Sequence, residues 1–281
     1  MSFMQKIMLF LQTEHEKPTN YSSFHITFII LTILSTVLLC VFFKKASEKK
    51  VRIFVAIAWG VIVLFEIYKQ IVFNYADGKF NEYRWQFFPF QLCSSPLYLL
   101  PIIAFIKDCK FRDGAIMFIA TFSFFGGLCV YIFPNDVFDT EFLGVQIQTM
   151  VHHGVQIMLG IYLFVVYRKK FTIKNAYLPV IYFAVLTLIA LILNLLVHKA
   201  VPDHIFNMFF ISPYFDCTLP VLFIIYTKVP YVVFLLIYIF GFVLCAFLMF
   251  AIMFGIEKLA KLISSKFTKK ANDERENSTN S

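Results

Sequence analysis

The chain has 281 residues, of which 60% are hydrophobic, only 15% are charged and 37 are phenylalanine. This composition excludes an ordinary soluble domain and is typical of an all-α, polytopic helical membrane bundle. The formal charge of +8 would favour nucleic-acid binding in a soluble chain. Here the basic residues flank apolar segments, where they set orientation, so membrane lipid and not nucleic acid is the expected partner.

The first predicted element is an amphipathic segment over residues 1–20. Apolar side chains recur at helical spacing from Phe3 to Leu11, which predicts a short helix lying on the membrane surface. No small-residue cleavage site follows an early apolar stretch, so we expect the first span to be retained.

Seven apolar segments follow, each about the 20 residues that a helix needs to cross the hydrocarbon core. They lie in one transmembrane domain, 24–256, near 24–43, 53–76, 87–106, 114–133, 143–167, 176–198 and 231–256. A further apolar stretch, 205–226, contains Pro213, Asp216 and Pro220, and it is predicted to be a re-entrant or interfacial element. The polar end, 266–281, is predicted to be a disordered cytoplasmic tail.

The basic residues predict the orientation of these spans. Of the 25 lysines and arginines, 18 follow spans one, three, five and seven. Cytoplasmic loops carry an excess of Lys and Arg, so the N-terminus is predicted outside and the C-terminus in the cytoplasm. The bias towards Lys, Ile, Phe and Asn is typical of a low-GC bacterium, so the expected location is the bacterial cytoplasmic membrane.

Polar residues inside the third span are the main functional signal. The segment from Pro89 to Pro96 places Gln91, Cys93 and two serines between two prolines. Unpaired polar groups are penalised in lipid, so this segment should face protein or trapped water. Six scattered cysteines without Cys-x-x-Cys spacing indicate no disulfide framework or zinc module. The sequence predicts no metal and no cofactor.

The fifth and second spans carry matching polar residues at a similar depth. His153 and Gln156 belong to one stripe of the fifth span, and His152 lies on the adjacent face. In the second span Glu66 precedes Lys69 by three residues. The pair is interpreted either as an ion pair that locks helix packing or, if Glu66 is protonated, as part of a proton relay. A zinc site from Cys93, His153 and Glu66 is chemically acceptable but has no ligand spacing to support it.

Four motifs resemble the YwaF-like family of bacterial integral membrane proteins. They are Phe88 to Ser94, Phe125 to Gly127 with Pro134, His152 to Gly154, and Asn207 to Pro213. The resemblance covers roughly residues 50 to 255. It implies a multi-span helical fold, distantly similar to a eukaryotic transmembrane acyltransferase that acts on ether phospholipids through a cysteine at the first motif.

The resemblance implies that Cys93 is the acyl-accepting thiolate and that His153, or His152, is its base. Many family members carry His where this chain has Gln91, so a base at that position is lost here. Gln91, Gln156 or Asn207 would then steady the oxyanion. Two alternatives stay open. One is a small-solute or proton-coupled transporter that uses Glu66, Lys69 and His153, and the other is a non-catalytic binding protein.

Overall fold

The computed structural model of the protein describes residues 2–76 and 78–279, without the side chains of Asp136, Ala260, Lys261 and 263–279. The helices are α1 Phe3–Leu11, α2 Ser23–Phe43, α3 Glu48–Asn74, α4 Pro96–Phe105, α5 Lys110–Phe118, α6 Phe124–Ile132, α7 Leu143–Val166, α8 Tyr177–Ala200, α9 Leu222–Tyr226 and α10 Tyr231–Thr279. One antiparallel hairpin joins β1, Tyr75–Ala76, to β2, Lys79–Phe80. The backbone of 266–279 belongs to α10, where a disordered tail was predicted, and the side chains of this segment lie outside the described part of the chain.

The long helices confirm the prediction of an all-α, multi-pass membrane protein. Among the described residues, six helices are long and apolar enough to cross a membrane, where seven such segments were predicted. The six run over Ser23–Phe43, Glu48–Asn74, Lys110–Ile132, Leu143–Val166, Ile173–Ala200 and Tyr231–Leu259. Helices α5 and α6 form one of these, because a turn of π-helix, Ile119–Ser123, joins them without a break.

The predicted span at 87–106 is not a regular helix of spanning length. It consists of the 3-10 turns Trp85–Phe87 and Leu92–Ser94, followed by the ten-residue α4. Pro89 and Pro96 explain the difference. The ring of Pro89 disfavours helical geometry in the residue before it, and Phe88 has a ψ of 130°. Proline has no backbone N–H, which is tolerated in the first turn of a helix, and α4 begins at Pro96.

This broken segment nevertheless runs antiparallel to α3 along most of its length. Arg52 donates to the carbonyl of Ala104 at 3.3 Å, and Trp59 donates to the carbonyl of Leu97 at 3.0 Å. At the far end, the amide of Gln70 donates to the carbonyl of Phe87 at 2.7 Å. The part of α3 that these bonds cover is about 27 Å long at 1.5 Å per residue, close to the thickness of a hydrocarbon core.

Two ends of the bundle can be distinguished by what lies there. At the first, which we call the α1 end, Tyr68 donates to the carbonyl of Leu11 at 2.6 Å, so α1 rests on the last turns of α3. The stretch 205–226 returns to this end and contains no helix longer than the five-residue α9. Its 206–209 part is buried, which fits a re-entrant element better than an interfacial one.

At the opposite end, which we call the basic end, Arg112 is fully buried and ties three elements together. Its guanidinium lies 2.6 Å from the Glu48 carboxylate and donates to the carbonyl of Ile103 and the hydroxyl of Tyr167, each at 2.8 Å. The network therefore joins the first turn of α3, the end of α4 and the end of α7. This end also carries most of the basic residues that follow the odd-numbered predicted spans.

Candidate functional site

The backbone is irregular where the third predicted span passes through the bundle. Between Pro89 and Pro96 the chain makes a 3-10 turn, Leu92–Ser94, so carbonyls here lack the partners that an α-helix would supply. An unpaired carbonyl inside a membrane protein is costly, and donors from a neighbouring element are needed. Helix α7 supplies them.

Two side chains of α7 converge on the backbone carbonyl of Cys93. The Nε2 atom of His152 and the amide nitrogen of Gln156 each lie 2.8 Å from that oxygen. The two residues are four apart, so they can reach the same oxygen. The sequence grouped Gln156 with His153 in one stripe, whereas in the structure Gln156 acts together with His152. Because a carbonyl oxygen accepts, His152 carries its proton on Nε2, which leaves Nδ1 as a free acceptor. The contact fixes the position of Cys93, whose residue is half-buried.

The neighbouring imidazole also keeps a free nitrogen. His153 donates from Nδ1 to the carbonyl of Thr149, one turn earlier, at 2.8 Å. Its Nε2 is buried and has no hydrogen-bond partner among the described residues, as is true of Nδ1 of His152. The ring centroids lie 5.3 Å apart. Two neutral imidazoles with unprotonated nitrogens therefore lie side by side, and each can accept a proton.

A buried ion pair on α3 adjoins the broken segment that carries Cys93. Glu66 is 7% exposed, and its carboxylate lies 2.9 Å from the ammonium of Lys69. The amide of Gln70 donates to the same carboxylate at 2.6 Å. The amide of Gln70 also donates to the carbonyl of Phe87 at 2.7 Å, which joins the ion pair to the broken segment that carries Cys93. The ion-pair interpretation of Glu66 and Lys69 matches this geometry.

Two predicted amide donors are engaged elsewhere, in the buried turn that we call the 207–210 turn. Gln91 donates to the carbonyl of Asn207 at 2.9 Å and accepts from the N–H of Phe209 at 2.7 Å. Asn207 in turn donates to the carbonyl of Asp216 and accepts from the N–H of Ser212. Phe209 has φ of 59°, a left-handed conformation that a non-glycine residue rarely adopts. Gln91 thus secures a strained turn.

Sequence analysis missed the π-helical turn at the centre of this region. Ile119–Ser123 packs against the 3-10 turn that carries Cys93, and the buried Ser123 hydroxyl has no partner among the described residues. Single π-turns often occur at functional sites. One turn later, a Cβ added to Gly127 would lie 2.8 Å from the carbonyl of His153, so glycine permits close contact of α6 with α7. No pattern in the sequence marks a π-turn, although Gly127 belongs to one of the four family-like motifs.

The region has an open cavity nearby but no group of metal ligands among the described residues. Within the described part of the chain, no three His, Cys, Asp or Glu side chains are grouped as metal ligands. A cavity of about 990 Å³ opens at the α1 end, between residues 17–20 and the segment that includes Phe210 and Thr218. The 207–210 turn that Gln91 secures therefore borders this cavity.

These observations define a polytopic helical membrane protein in which a broken helix, two histidines and a buried ion pair share one region of the bundle. The model of the TMEM164 family matches residues 19–254, and the chain belongs to this family. No curated protein and no solved structure shows significant similarity to the chain. The YwaF-like resemblance and the likeness to an acyltransferase rest on the motifs alone.

Proposed function

We propose that the protein transfers an acyl chain between membrane lipids through a thioester on Cys93. The observation that carries the proposal is the pair of α7 side chains, His152 and Gln156, that hold the carbonyl of Cys93 at a break in the helix. Such support fixes a nucleophile, because reacting groups must be held close to their productive geometry. The motif resemblance supplies the lipid substrate class.

The reaction has two balanced steps. The Cys93 thiol gives its proton to an imidazole, and sulfur attacks the ester carbonyl of a phospholipid. A C–S bond forms, the ester C–O bond breaks, and the leaving lysophospholipid oxygen takes the proton. In the second step the hydroxyl of an acceptor lipid attacks the thioester, its proton passes to the imidazole, and the C–S bond breaks to restore the thiol.

The two histidines receive different roles in this proposal. His152 is a positioning residue, because its Nε2 proton is donated to the Cys93 carbonyl. His153 is the base, because its Nδ1 is held by Thr149 and its Nε2 is free. Gln156 is the oxyanion donor, because its amide lies beside Cys93 and has a second N–H. Gln91 and Asn207 position the adjoining turn.

The central experiment measures acyl transfer in proteoliposomes. Purified protein is supplied with a phospholipid labelled in its acyl chain and with an unlabelled lysophospholipid acceptor. Wild type and the matched control Cys40→Ala are expected to transfer label, and Cys93→Ala to lose at least about 1000-fold, as expected for removal of a nucleophile. A hydroxylamine-sensitive acyl mass on the wild-type chain would mark the thioester. Equal transfer by Cys93→Ala and wild type would refute the proposal.

A second pair of variants separates the two histidines. Glutamine places an amide nitrogen near the position of histidine Nε2, so His152→Gln should still donate to the Cys93 carbonyl and retain most activity. Asparagine places its nitrogen near Nδ1, so His153→Asn should keep the bond to Thr149 but lose the base. We expect His153→Asn to lower the rate about 100-fold or more. The opposite ranking would assign the base to His152.

Proton-coupled transport is the second candidate function, and the buried Glu66–Lys69 pair favours it. Charged groups within membrane spans commonly mark ion or proton pathways. In this case Glu66→Gln should abolish proton-coupled solute uptake by proteoliposomes, while Cys93→Ala leaves uptake unchanged. The two variants therefore distinguish an enzyme from a transporter. Loss of acyl transfer only in Cys93→Ala, with no uptake by wild type, excludes transport.

We also propose seven membrane crossings, with the α1 end outside and the basic end in the cytoplasm of a bacterial cell. The segment 87–105 counts as the additional crossing because it accompanies α3 between the two ends. Seven crossings place the termini on opposite sides, in agreement with the excess of Lys and Arg at the basic end. Reporter fusions after residues 81 and 172 should give outside and inside signals respectively, and the reverse pattern would overturn this orientation.

A further inference from the structure

A second cavity lies at the basic end, far from Cys93. It has a volume of about 520 Å³ and opens between the first turns of α3 and the end of α4. Its apolar part is formed by residues such as Ala56 and Ala104, whose small side chains leave room between the helices. Phe105, at the edge of the cavity, is 62% exposed, so the cavity opens towards the lipid and not into the bundle.

The polar rim of this cavity carries three cationic side chains, which are Lys49, Arg52 and Lys107. Among the described residues, neither lysine has a carboxylate within ion-pair distance, and both are exposed. Arg52 is partly engaged, because its Nε donates to Glu48 and one terminal nitrogen donates to Ala104. The remaining N–H groups of the rim are available to a ligand.

Two carboxylates also line the cavity, and three cations, Arg52, Arg112 and Lys170, bind them. Lys170 is shared with Asp113 at 2.6 Å, so the net positive charge of the rim comes from Lys49 and Lys107. Glu48 is bound by the buried Arg112 at 2.6 Å. Asp108 forms an ion pair with Lys170, outside the cavity lining, and lies 3.5 Å from Arg112. The rim therefore presents a positive field to an incoming group, with an apolar groove directly beneath it.

We propose that this groove binds one anionic phospholipid from the leaflet at the basic end. The phosphate would lie between the ammonium groups of Lys49 and Lys107, with Arg52 completing the cationic rim. One acyl chain would lie over Ala56 and Ala104. In this arrangement the anionic headgroup contacts the cationic rim and the acyl chain contacts the apolar surface. A zwitterionic lipid would instead bring its own positive group close to the cationic rim.

The shape of the site favours a lipid over a free phosphate or an acidic peptide. A soluble anion would leave the apolar groove uncovered, and burial of apolar surface supplies most of the binding energy of an acyl chain. Trp59 packs against one residue of the cavity lining, because its ring centroid lies 5.9 Å from that of Phe105. This site is independent of acyl transfer, because it lies at the end of the bundle opposite α1 and shares no residue with the Cys93 region.

The test measures binding of a phosphatidylglycerol to the full-length protein in neutral detergent by native mass spectrometry. Loss of one basic group near an anionic lipid costs about fivefold in affinity, so Lys49→Gln/Lys107→Gln should bind about 30-fold more weakly. The matched control is Lys169→Gln/Lys174→Gln, which removes two exposed lysines from the same end but away from the cavity. This control should change affinity by less than about threefold.

A third variant tests the groove without changing charge. Ala56→Leu should weaken phosphatidylglycerol binding about tenfold by filling the groove, and an unchanged melting temperature in phosphatidylcholine confirms that it folds. An equal loss in both lysine pairs would show diffuse attraction to the basic end and overturn the proposal. Undiminished binding by Ala56→Leu, or equal competition by glycerol 3-phosphate, would also overturn it. None of these variants touches the proposed acyl-transfer residues, so failure here leaves that function untested and intact.

Discussion

Replacing Arg112 by methionine is expected to destabilise the protein by about 3 to 5 kcal/mol, which is the sum of the losses at three contacts. The guanidinium is 0% exposed and is bonded to the carbonyl of Ile103, to the hydroxyl of Tyr167 and to Glu48. A buried carbonyl that loses its donor costs about 1 to 3 kcal/mol. The hydroxyl contact contributes about 1 kcal/mol.

The ion pair itself contributes less than its 2.6 Å distance suggests. The Glu48 side chain is 49% exposed, so water screens its charge, and the loss of its partner costs about 1 kcal/mol in place of the larger penalty of a fully buried pair. Arg52→Met is the matched control. Arg52 is half-buried and makes one carboxylate contact and one weak 3.3 Å bond, so its replacement should cost under about 1 kcal/mol.

The assay is reversible unfolding of the purified protein in mixed micelles, followed by tryptophan fluorescence as denaturing detergent is added. The Glu48→Gln variant and the double variant complete a cycle, whose coupling energy isolates the Arg112–Glu48 contact. We expect a coupling of about 1 kcal/mol. A loss below about 0.5 kcal/mol for Arg112→Met, or a loss no larger than that of Arg52→Met, would refute the view that Arg112 anchors the basic end.

Three further predictions concern Gly127, Asp108 and Gln91. Gly127→Ala should lower the free energy of unfolding by about 2 kcal/mol and impair the site, because the added Cβ would meet a backbone carbonyl of α7. The control is Gly126→Ala, whose Cβ would have a single contact, at 3.8 Å, and which should be neutral or stabilising in the same unfolding assay. The hydrogen bond from Lys170 lowers the pKa of Asp108 below its ordinary value of 3.8. The stabilisation that Asp108 contributes is therefore present above pH 3.8 and is lost as the pH falls through the lower pKa of the folded state. Between about pH 6 and 3 the unfolding midpoint of Asp108→Asn should therefore depend less on pH than that of the wild type. The same dependence on pH in both proteins would contradict this prediction. Gln91→Leu removes both bonds to the 207–210 turn and should cost about 2 kcal/mol, with faster amide exchange in that turn; unchanged exchange would show that other contacts hold it.

The sequence anticipated the regular spans better than the irregular one. The length of an apolar segment can be counted directly in the sequence. The helices Ser23–Phe43 and Leu143–Val166 therefore agree with the predicted spans within a few residues. The segment 87–106 was predicted as a span, with its prolines noted. Its division into 3-10 turns and α4 depends on donors from α3 and α7, which local sequence does not contain.

The candidate site was predicted as a set of residue types, and the structure determines which atoms meet. Cys93 and His152 were both singled out, yet the observed bond joins the histidine to the cysteine carbonyl, and no hydrogen bond links the thiol to an imidazole among the described residues. Gln91 was expected to donate to an oxyanion, whereas it holds the 207–210 turn. Arg112 was counted only as an orienting charge.

The amino-acid sequence by itself determined that this is a multi-pass helical membrane protein with polar residues at one depth in several spans. Hydropathy and charge bias are properties of consecutive residues, so they can be determined without knowing which helices are in contact. The tertiary structure alone decided that His152 and Gln156 hold Cys93 and that Arg112 closes the basic end. His152 and Gln156 are 59 and 63 positions from Cys93 in the sequence. Their hydrogen bonds require distances of about 3 Å between donor and acceptor, and only the packing of the helices sets those distances.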